Sequence, residues 1–295
     1  MQQLLKPQII QHQNVPMCKW TFSKKLTAPK RGKENLYMSN YHLEIQNVSR
    51  GKGRSFPKAV NYISGERIHD NYNDTTYYCQ RQDVLYHEIF QPDTAPPEFH
   101  NLQNLCDEID KTEKRYDART AREFIGSLPN ELPTNELIQI VKEYVSNNFV
   151  EHGLCAVAAI HEGRNKTDPS KNNPHVHILV STRTVGPEGF SKKKDREHNN
   201  KKYIDIWRED WAKTQNRAYE RNGYDIRVSH ESLEVQGKYD REPTIHMSRI
   251  DWQKEKNGER TISGDRKRAI RKRNEDRIRE QQLKQDRSLD FYRSR

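Results

Sequence analysis

At 295 residues, with hydrophobic and charged residues at 32% each, the chain can bury a compact core only if its apolar residues are concentrated in one part and the rest stays solvated. A formal net charge of +10 and a pI near 9.3 predict attraction to a polyanion, nucleic acid before an anionic membrane surface. No apolar run approaches the roughly 18 residues that span a bilayer and no signal-peptide pattern opens the chain, which sets membrane insertion aside in favour of a soluble, cytoplasmic protein.

Residues 1–37 mix Gln, Lys and Pro without a sustained period and read as a disordered or dispensable leader; a start at Met38 leaves a complete domain over 38–256. The first strand-like pattern is Tyr41-His-Leu-Glu-Ile-Gln46. After it, Ser49-Arg-Gly-Lys-Gly-Arg-Ser55 is either an ordinary basic loop or a turn able to approach a phosphate backbone, with Arg50, Lys52 and Arg54 as the contacts. Ser55 then reads as an N-cap, Pro57 is tolerated in a first turn, and Phe56, Ala59, Val60 and Ile63 recur at helical spacing. Tyr62 falls on the shoulder of that stripe, where a ring packs partly and still reaches a cleft.

The pattern predicts a second helix from about Leu102 to Ile125, ending near Gly126-Ser-Leu-Pro, and a third over Thr134–Val150 with Gly153 as its stop. A fourth, over Asp205–Arg221, meets Gly223 at its end and carries Trp207, Trp211 and Ala218 on one side, as a core face rather than a DNA-stacking surface. Residues 257–295 are strongly basic and poor in apolar side chains: a helical or disordered tail, serving either solubility or phosphate binding. Cys18, Cys79, Cys106 and Cys155 are too scattered for a zinc or disulfide motif and read as reduced, structural thiols.

The sharpest local feature is Leu154-Cys-Ala-Val-Ala-Ala-Ile-His161, a polar loop from Gly163 to Pro174, and then His175-Val-His-Ile-Leu-Val180, a long-loop hairpin. Val176, Ile178 and Val180 share one strand face and leave His175 and His177 on the other. A His-X-His pair alone is equally compatible with a polar, non-ligating strand. If the hairpin sets His161 opposite His175 or His177, all three imidazoles project from one face, and a divalent ion held there keeps open positions for a phosphate oxygen.

Several blocks, in this order, resemble the MobA/MobL family of plasmid-mobilisation relaxases, MOBQ-type members of the His-hydrophobic-His endonuclease superfamily. They are Tyr41-His-Leu-Glu-Ile, the basic turn, Asn61-Tyr-Ile-Ser-Gly-Glu-Arg67, the stretch from Tyr116 through Ala121-Arg-Glu-Phe-Ile-Gly-Ser-Leu-Pro129 to Leu132, and Asn173-Pro-His-Val-His177. Asn222-Gly-Tyr-Asp-Ile-Arg-Val-Ser and Glu242-Pro-Thr-Ile-His extend the likeness to His246.

The resemblance implies an α+β fold, a central antiparallel sheet flanked by helices. Carried over by position, Tyr62 matches the nucleophile, His161, His175 and His177 the ligands of a divalent ion, Mg²⁺ or Mn²⁺, and Glu123 an acidic residue of the site; otherwise Glu123 is a surface carboxylate on an amphipathic helix. Phe56-Pro-Lys58 and Asn61 depart from the alanine-rich run that precedes the tyrosine in relatives.

The implied partners are single-stranded or supercoiled plasmid DNA at an origin of transfer, accessory mobilisation proteins and a type IV coupling protein. Lys192, Lys193, Lys194 and Arg196, with Lys201 and Lys202, are further phosphate contacts or simply solvated loop. A rolling-circle replication initiator shares the metal and the tyrosine, but there the tyrosine usually follows the histidine pair. A basic DNA-binding protein without catalysis leaves the histidines structural.

Overall fold

A computed structural model describes residues 41–293 except 166, 170, 171, 240 and 246. The leader expected over 1–37, Cys18 and His246 lie outside the described residues. Chain order begins β1 (Leu43–Ser49), α1 (Phe56–Ser64), β2 (Ile68–Asp70), β3 (Thr75–Tyr77), β4 (Val84–Phe90), α2 (Leu102–Thr112) and β5 (Arg119–Ser127). It continues with α3 (Thr134–Val145), a π turn over Ser146–Val150, β6 (Leu154–His161), β7 (His175–Gly186), β8 (Gly189–Phe190), α4 (Lys202–Arg221), α5 (Arg249–Lys256) and α6 (Ile262–Arg293).

Among the described residues the main sheet runs β1-β5-β7-β6-β4, with β8 paired to β7, and every pairing in it is antiparallel. Its two faces carry two cores. Ala158, Ile160, Val176, Ile178 and Val180 pack with Ile140, Tyr144, Trp207 and Trp211 of α3 and α4. The other face offers Val157, Ala159 and Leu179 to Phe56, Val60 and Ile63 of α1 and Leu105, Cys106 and Ile109 of α2. Because strand side chains alternate, Val176, Ile178 and Val180 of β7 are committed to α3 and α4. His175 and His177 therefore emerge on the side of α1.

α1 forms where the sequence predicts it. The Ser55 side chain accepts from Lys58 N, Pro57 sits in the first turn, and Gly65 closes the helix at φ 76°, a left-handed conformation that suits glycine. The tryptophans of α4 are core: Trp207 meets Phe124 edge-on at 5.0 Å and Trp211 meets Tyr144 at 4.8 Å. α3 passes directly into its π turn, so the helical stretch reaches Val150 as expected.

The helix expected over Leu102–Ile125 is a correction. α2 stops at Thr112, and after a short connection Arg119–Ser127 form β5, the strand between β1 and β7. Strands buried on both faces lose the period-two signal, and Ala121, Arg122 and Glu123 favour a helix in isolation; pairing on both sides overrides that preference. The first strand also begins at Leu43 rather than Tyr41 and runs to Ser49, and α4 starts at Lys202 rather than Asp205. In the basic tail, α6 docks through buried Ile270, through Arg268 to Glu255, and through Arg273 and Arg277 to Glu242.

Candidate metal centre and nucleophile

His161 ends β6 and His175 begins β7, directly opposed across the hairpin, while His177 faces Ala159. The register brings all three rings to one surface, with centroids 5.3 Å (161–175), 4.9 Å (161–177) and 5.4 Å (175–177) apart. Each ring has one nitrogen bonded to an oxygen that can only accept. His161 Nε2 donates to Ile63 O at 2.8 Å, His175 Nδ1 to Asn173 O at 2.8 Å, and His177 Nδ1 to Glu123 Oε1 at 3.0 Å. In neutral imidazole the other nitrogen is then a bare lone pair.

That leaves His161 Nδ1, His175 Nε2 and His177 Nε2 as donors toward a cation, and the ligand atoms of the cluster lie within 4.8 Å of one another. His161 Nδ1 is buried and has no hydrogen-bond partner, as a ligand atom would be in the absence of its ion. Burial pushes the His161 pKa down to about 4 and lowers that of His175, so both rings are held in the neutral form that binds metal. The donor set fits a divalent transition-type or similar cation with open coordination positions.

Glu123 sits on β5, not on a helix, diagonal to His177 because Ile125 is the residue opposite His177. Its Oε1 accepts from His177 Nδ1, and its Oε2 accepts from Gln46 Nε2 at 3.0 Å and from Arg54. Gln46 is the residue directly opposed to it on β1. Burial alone would raise the Glu123 pKa, but the His177 and Arg54 hydrogen bonds outweigh it and hold the carboxyl below its ordinary range. A carboxylate in this position fixes the tautomer and the tilt of the imidazole it holds.

Tyr62 is 48% exposed, on the shoulder of the α1 stripe. Its ring stands edge-on to His161 at 6.3 Å and to His177 at 5.8 Å, interplanar angles 79° and 83°. Among the described residues it is the tyrosine whose ring meets these histidines. Tyr72 instead lies under the Arg50 guanidinium, Tyr77 beside Lys58, and Tyr78 is exposed.

The Arg81 guanidinium carbon sits 4.6 Å from the Tyr62 centroid, and Nη1 donates to Tyr62 O at 3.2 Å. Asp83 grips the same guanidinium through Nε (2.8 Å) and Nη2 (2.6 Å). Their hydrogen bond raises the pKa of Arg81 and lowers that of Asp83, so the pair stays charged. Sequence reasoning missed both residues. Arg-X-Asp is too common to stand out, and only the approach of α1 to the start of β4 gives it meaning.

The basic residues divide. Arg50 turns inward, against expectation: it is buried in an ion pair with Asp110 at 2.6 Å and also bonds Glu113 O, because Asp110 of α2 lies behind the turn. Lys52 is exposed, and Arg54 spends its guanidinium on Glu123. Lys194 pairs with Glu113 at 3.0 Å, whereas Lys192, Lys193 and Arg196 are exposed. This cationic stretch follows β8 and runs back alongside the C-terminal part of β7, away from His175.

The MobA/MobL family model matches residues 54–257. The probable mobilization protein MobA of Bifidobacterium longum (strain NCC 2705) is 31% identical over 252 residues, covering 71% of this chain and 43% of that protein. Mobilization protein MobL of Acidithiobacillus ferridurans is 29% identical over 238 residues, 71% of this chain and 62% of that one. The chain thus spans less than two thirds of either relative. A solved structure described as "Molecular Basis of Vancomycin Resistance Transfer in Staphylococcus aureus" superposes with a TM-score of 0.58 at 28% identity, over 65% of this chain and 98% of the other. With the antiparallel sheet, the opposed histidines and the matched span in agreement, the chain belongs to the MobA/MobL family.

Proposed function

We propose that this chain is a relaxase: it nicks one DNA strand at a plasmid origin of transfer and keeps the cleaved strand covalently attached for mobilisation. The observation that carries the reading is the Tyr62 ring, edge-on to two members of a three-histidine cluster whose bare nitrogens converge. The mobilization proteins to which the chain is similar supply the setting.

A phenol, ordinarily titrating near about 10, is a weak nucleophile at neutral pH and needs positive charge close by. Arg81 supplies one such charge from the ring face. His161, His175 and His177 would hold a divalent ion, Mg²⁺ or Mn²⁺, which when bound supplies a Lewis acid to the non-bridging oxygens of the phosphate. Glu123 keeps His177 in the ligating tautomer. The Tyr62 oxygen gives up its proton and forms a bond to phosphorus; the bond from phosphorus to the 3′ oxygen breaks, and that oxygen leaves with the electron pair and takes up a proton. The 5′ phosphate remains as a phosphotyrosyl diester, which conserves the ester bond for later rejoining. Plasmid DNA is the substrate in this reading, with accessory mobilisation proteins and a type IV coupling protein as partners.

The test is transfer of end-labelled origin DNA onto the protein, resolved on a denaturing gel with Mg²⁺ or Mn²⁺ present. Tyr62→Phe should abolish the labelled protein band. A covalent adduct of undiminished yield in Tyr62→Phe would overturn the assignment.

A further inference from the structure

A second pair of histidines lies apart from the cluster, where two turns meet beside the end of β7 remote from His175. His152 belongs to the turn between the π turn and β6, and the carbonyl of Gly153 beside it accepts from Val185 N at 2.8 Å. His198 belongs to the 3₁₀ turn Glu197–Asn199 between β8 and α4. That turn is tied to β7 through Asp195 N, which donates to Thr182 O at 2.9 Å. The two imidazole rings come together with centroids 4.9 Å apart. The same spacing separates His161 from His177 in the cluster beside Tyr62.

His198 is supported as His177 is. Its Nδ1 donates to Asp195 Oδ2 at 2.5 Å, while Asp195 Oδ1 accepts from the N–H groups of Glu197 and His198 and so fixes the carboxylate. The rings of Tyr203, at 4.4 Å, and Trp207, at 6.3 Å, pack on the imidazole. The His198 side chain is 6% exposed, and its Nε2 is buried without a hydrogen-bond partner. Buried polar atoms in folded proteins are nearly always satisfied. With Nδ1 donating to a carboxylate, the neutral ring presents a lone pair at Nε2. A cation satisfies that lone pair, and a neighbouring imidazole at ligand spacing gives the cation a second nitrogen. His152 is exposed, so its ring is free to turn toward a shared ion and to leave further positions to water.

We propose that His152 and His198 hold a divalent cation of the kind imidazole favours, Zn²⁺ foremost, with Asp195 orienting His198 as Glu123 orients His177. The site does not rest on the relaxase reading. Its ion serves structure, clipping the turn before β6 to the turn that follows the cationic stretch 192–196. The other end of that stretch is already held, by Ser191 N on Thr184 O at 2.9 Å.

The test is titration of the full chain with Zn²⁺ alone, in competition with a chromophoric chelator, alongside long-range ¹H–¹⁵N spectra of histidine-labelled protein. The unsubstituted chain should take one equivalent beyond that of the cluster, and this equivalent should move the ring signals of His152 and His198. His152→Ala, on an exposed side chain, should lose it and keep the equivalent held by the cluster. His177→Ala should weaken the cluster's equivalent and keep the one at His198, so the failure of either site is read separately. Asp195→Asn should weaken the His198 equivalent about 10- to 100-fold. Ring signals of His198 that stay unmoved at saturating Zn²⁺, as for two imidazoles bonded to each other without an ion, overturn the site. So does a Zn²⁺ stoichiometry and affinity in His152→Ala equal to that of the unsubstituted chain.

Discussion

The three imidazoles of the cluster share one surface but not one means of support. His161 leans on a main-chain carbonyl of α1, His175 on Asn173 two residues before it, and His177 on the Glu123 carboxylate. Removing the charge behind His177 while keeping an acceptor, as in Glu123→Gln, should weaken divalent-cation affinity about 10- to 100-fold, the usual cost of losing such a partner. Calorimetric titration of Mn²⁺ measures it, and equal affinities for the two proteins would remove Glu123 from that role. Gly163 supports His175 less visibly. It has φ 58°, and a Cβ built on it would lie 2.0 Å from Asn173 O, the same carbonyl that accepts from the His175 ring. Gly163→Ala should therefore lower cation affinity through displacement of His175, although it adds one methyl group and touches no ligand. An unchanged Mn²⁺ titration curve for that variant contradicts the account.

At the scale of elements, β5 positions the site. It carries Glu123 toward the histidines and, on its other face, Phe124 into the α4 core. Close packing against α4 leaves Gly126 no room for a side chain, since an added Cβ would lie 2.7 Å from Trp211 Cζ2. Gly126→Ala should cost about 1–3 kcal/mol, read as a lower midpoint in urea or thermal unfolding; a midpoint equal to that of the unsubstituted protein would show that the sheet and α4 are not in such tight contact.

β5 is also where sequence reading failed. The β6–β7 hairpin was legible because apolar residues and histidines alternate in β7, and α1 because Ser55, Pro57 and Gly65 mark its ends. β5 carries helix-forming residues and is covered on both sides, so the alternation that identifies an exposed strand is absent. The inward turn of Arg50 depends on Asp110, 60 positions along the chain, and the grip of Arg81 on Tyr62 depends on α1 meeting the start of β4. Such long-range pairings leave no local period to read.

At the scale of the described molecule, one exposed cationic stretch lies away from the histidine cluster. Asp195 N bonds Thr182 O, which lies seven residues along β7 from His175, or roughly 23 Å at the rise of an extended strand. The exposed Lys192, Lys193 and Arg196 flank that point. On the proposed reading, a DNA strand long enough to touch both ends would gain affinity there without any change at Tyr62. Replacing these three residues with Ala should reduce the slope of log affinity against log salt by about 0.7 for each phosphate that is no longer neutralised, with single-turnover adduct formation at saturating DNA unchanged. An unaltered slope would leave these cations as solvated surface.

The hydrogen bond from His161 to Ile63 O has one more consequence. Ile63 is the residue after Tyr62, so the carbonyl that fixes the tautomer of one candidate ligand belongs to the turn of helix that carries Tyr62. If ordering at one end of that bond is felt at the other, the free-energy coupling between the two binding events is reciprocal. If cation binding steadies α1 and tightens DNA, then DNA engaged at Tyr62 tightens the cation by the same factor. On the proposed reading the chain would hold its ion most firmly when a strand is in place and release it most readily when empty, which makes metal occupancy a reporter of substrate. Mn²⁺ affinity measured with and without a bound, uncleaved oligonucleotide should differ; a ratio of one would show that the two sites, though bonded, are thermodynamically independent.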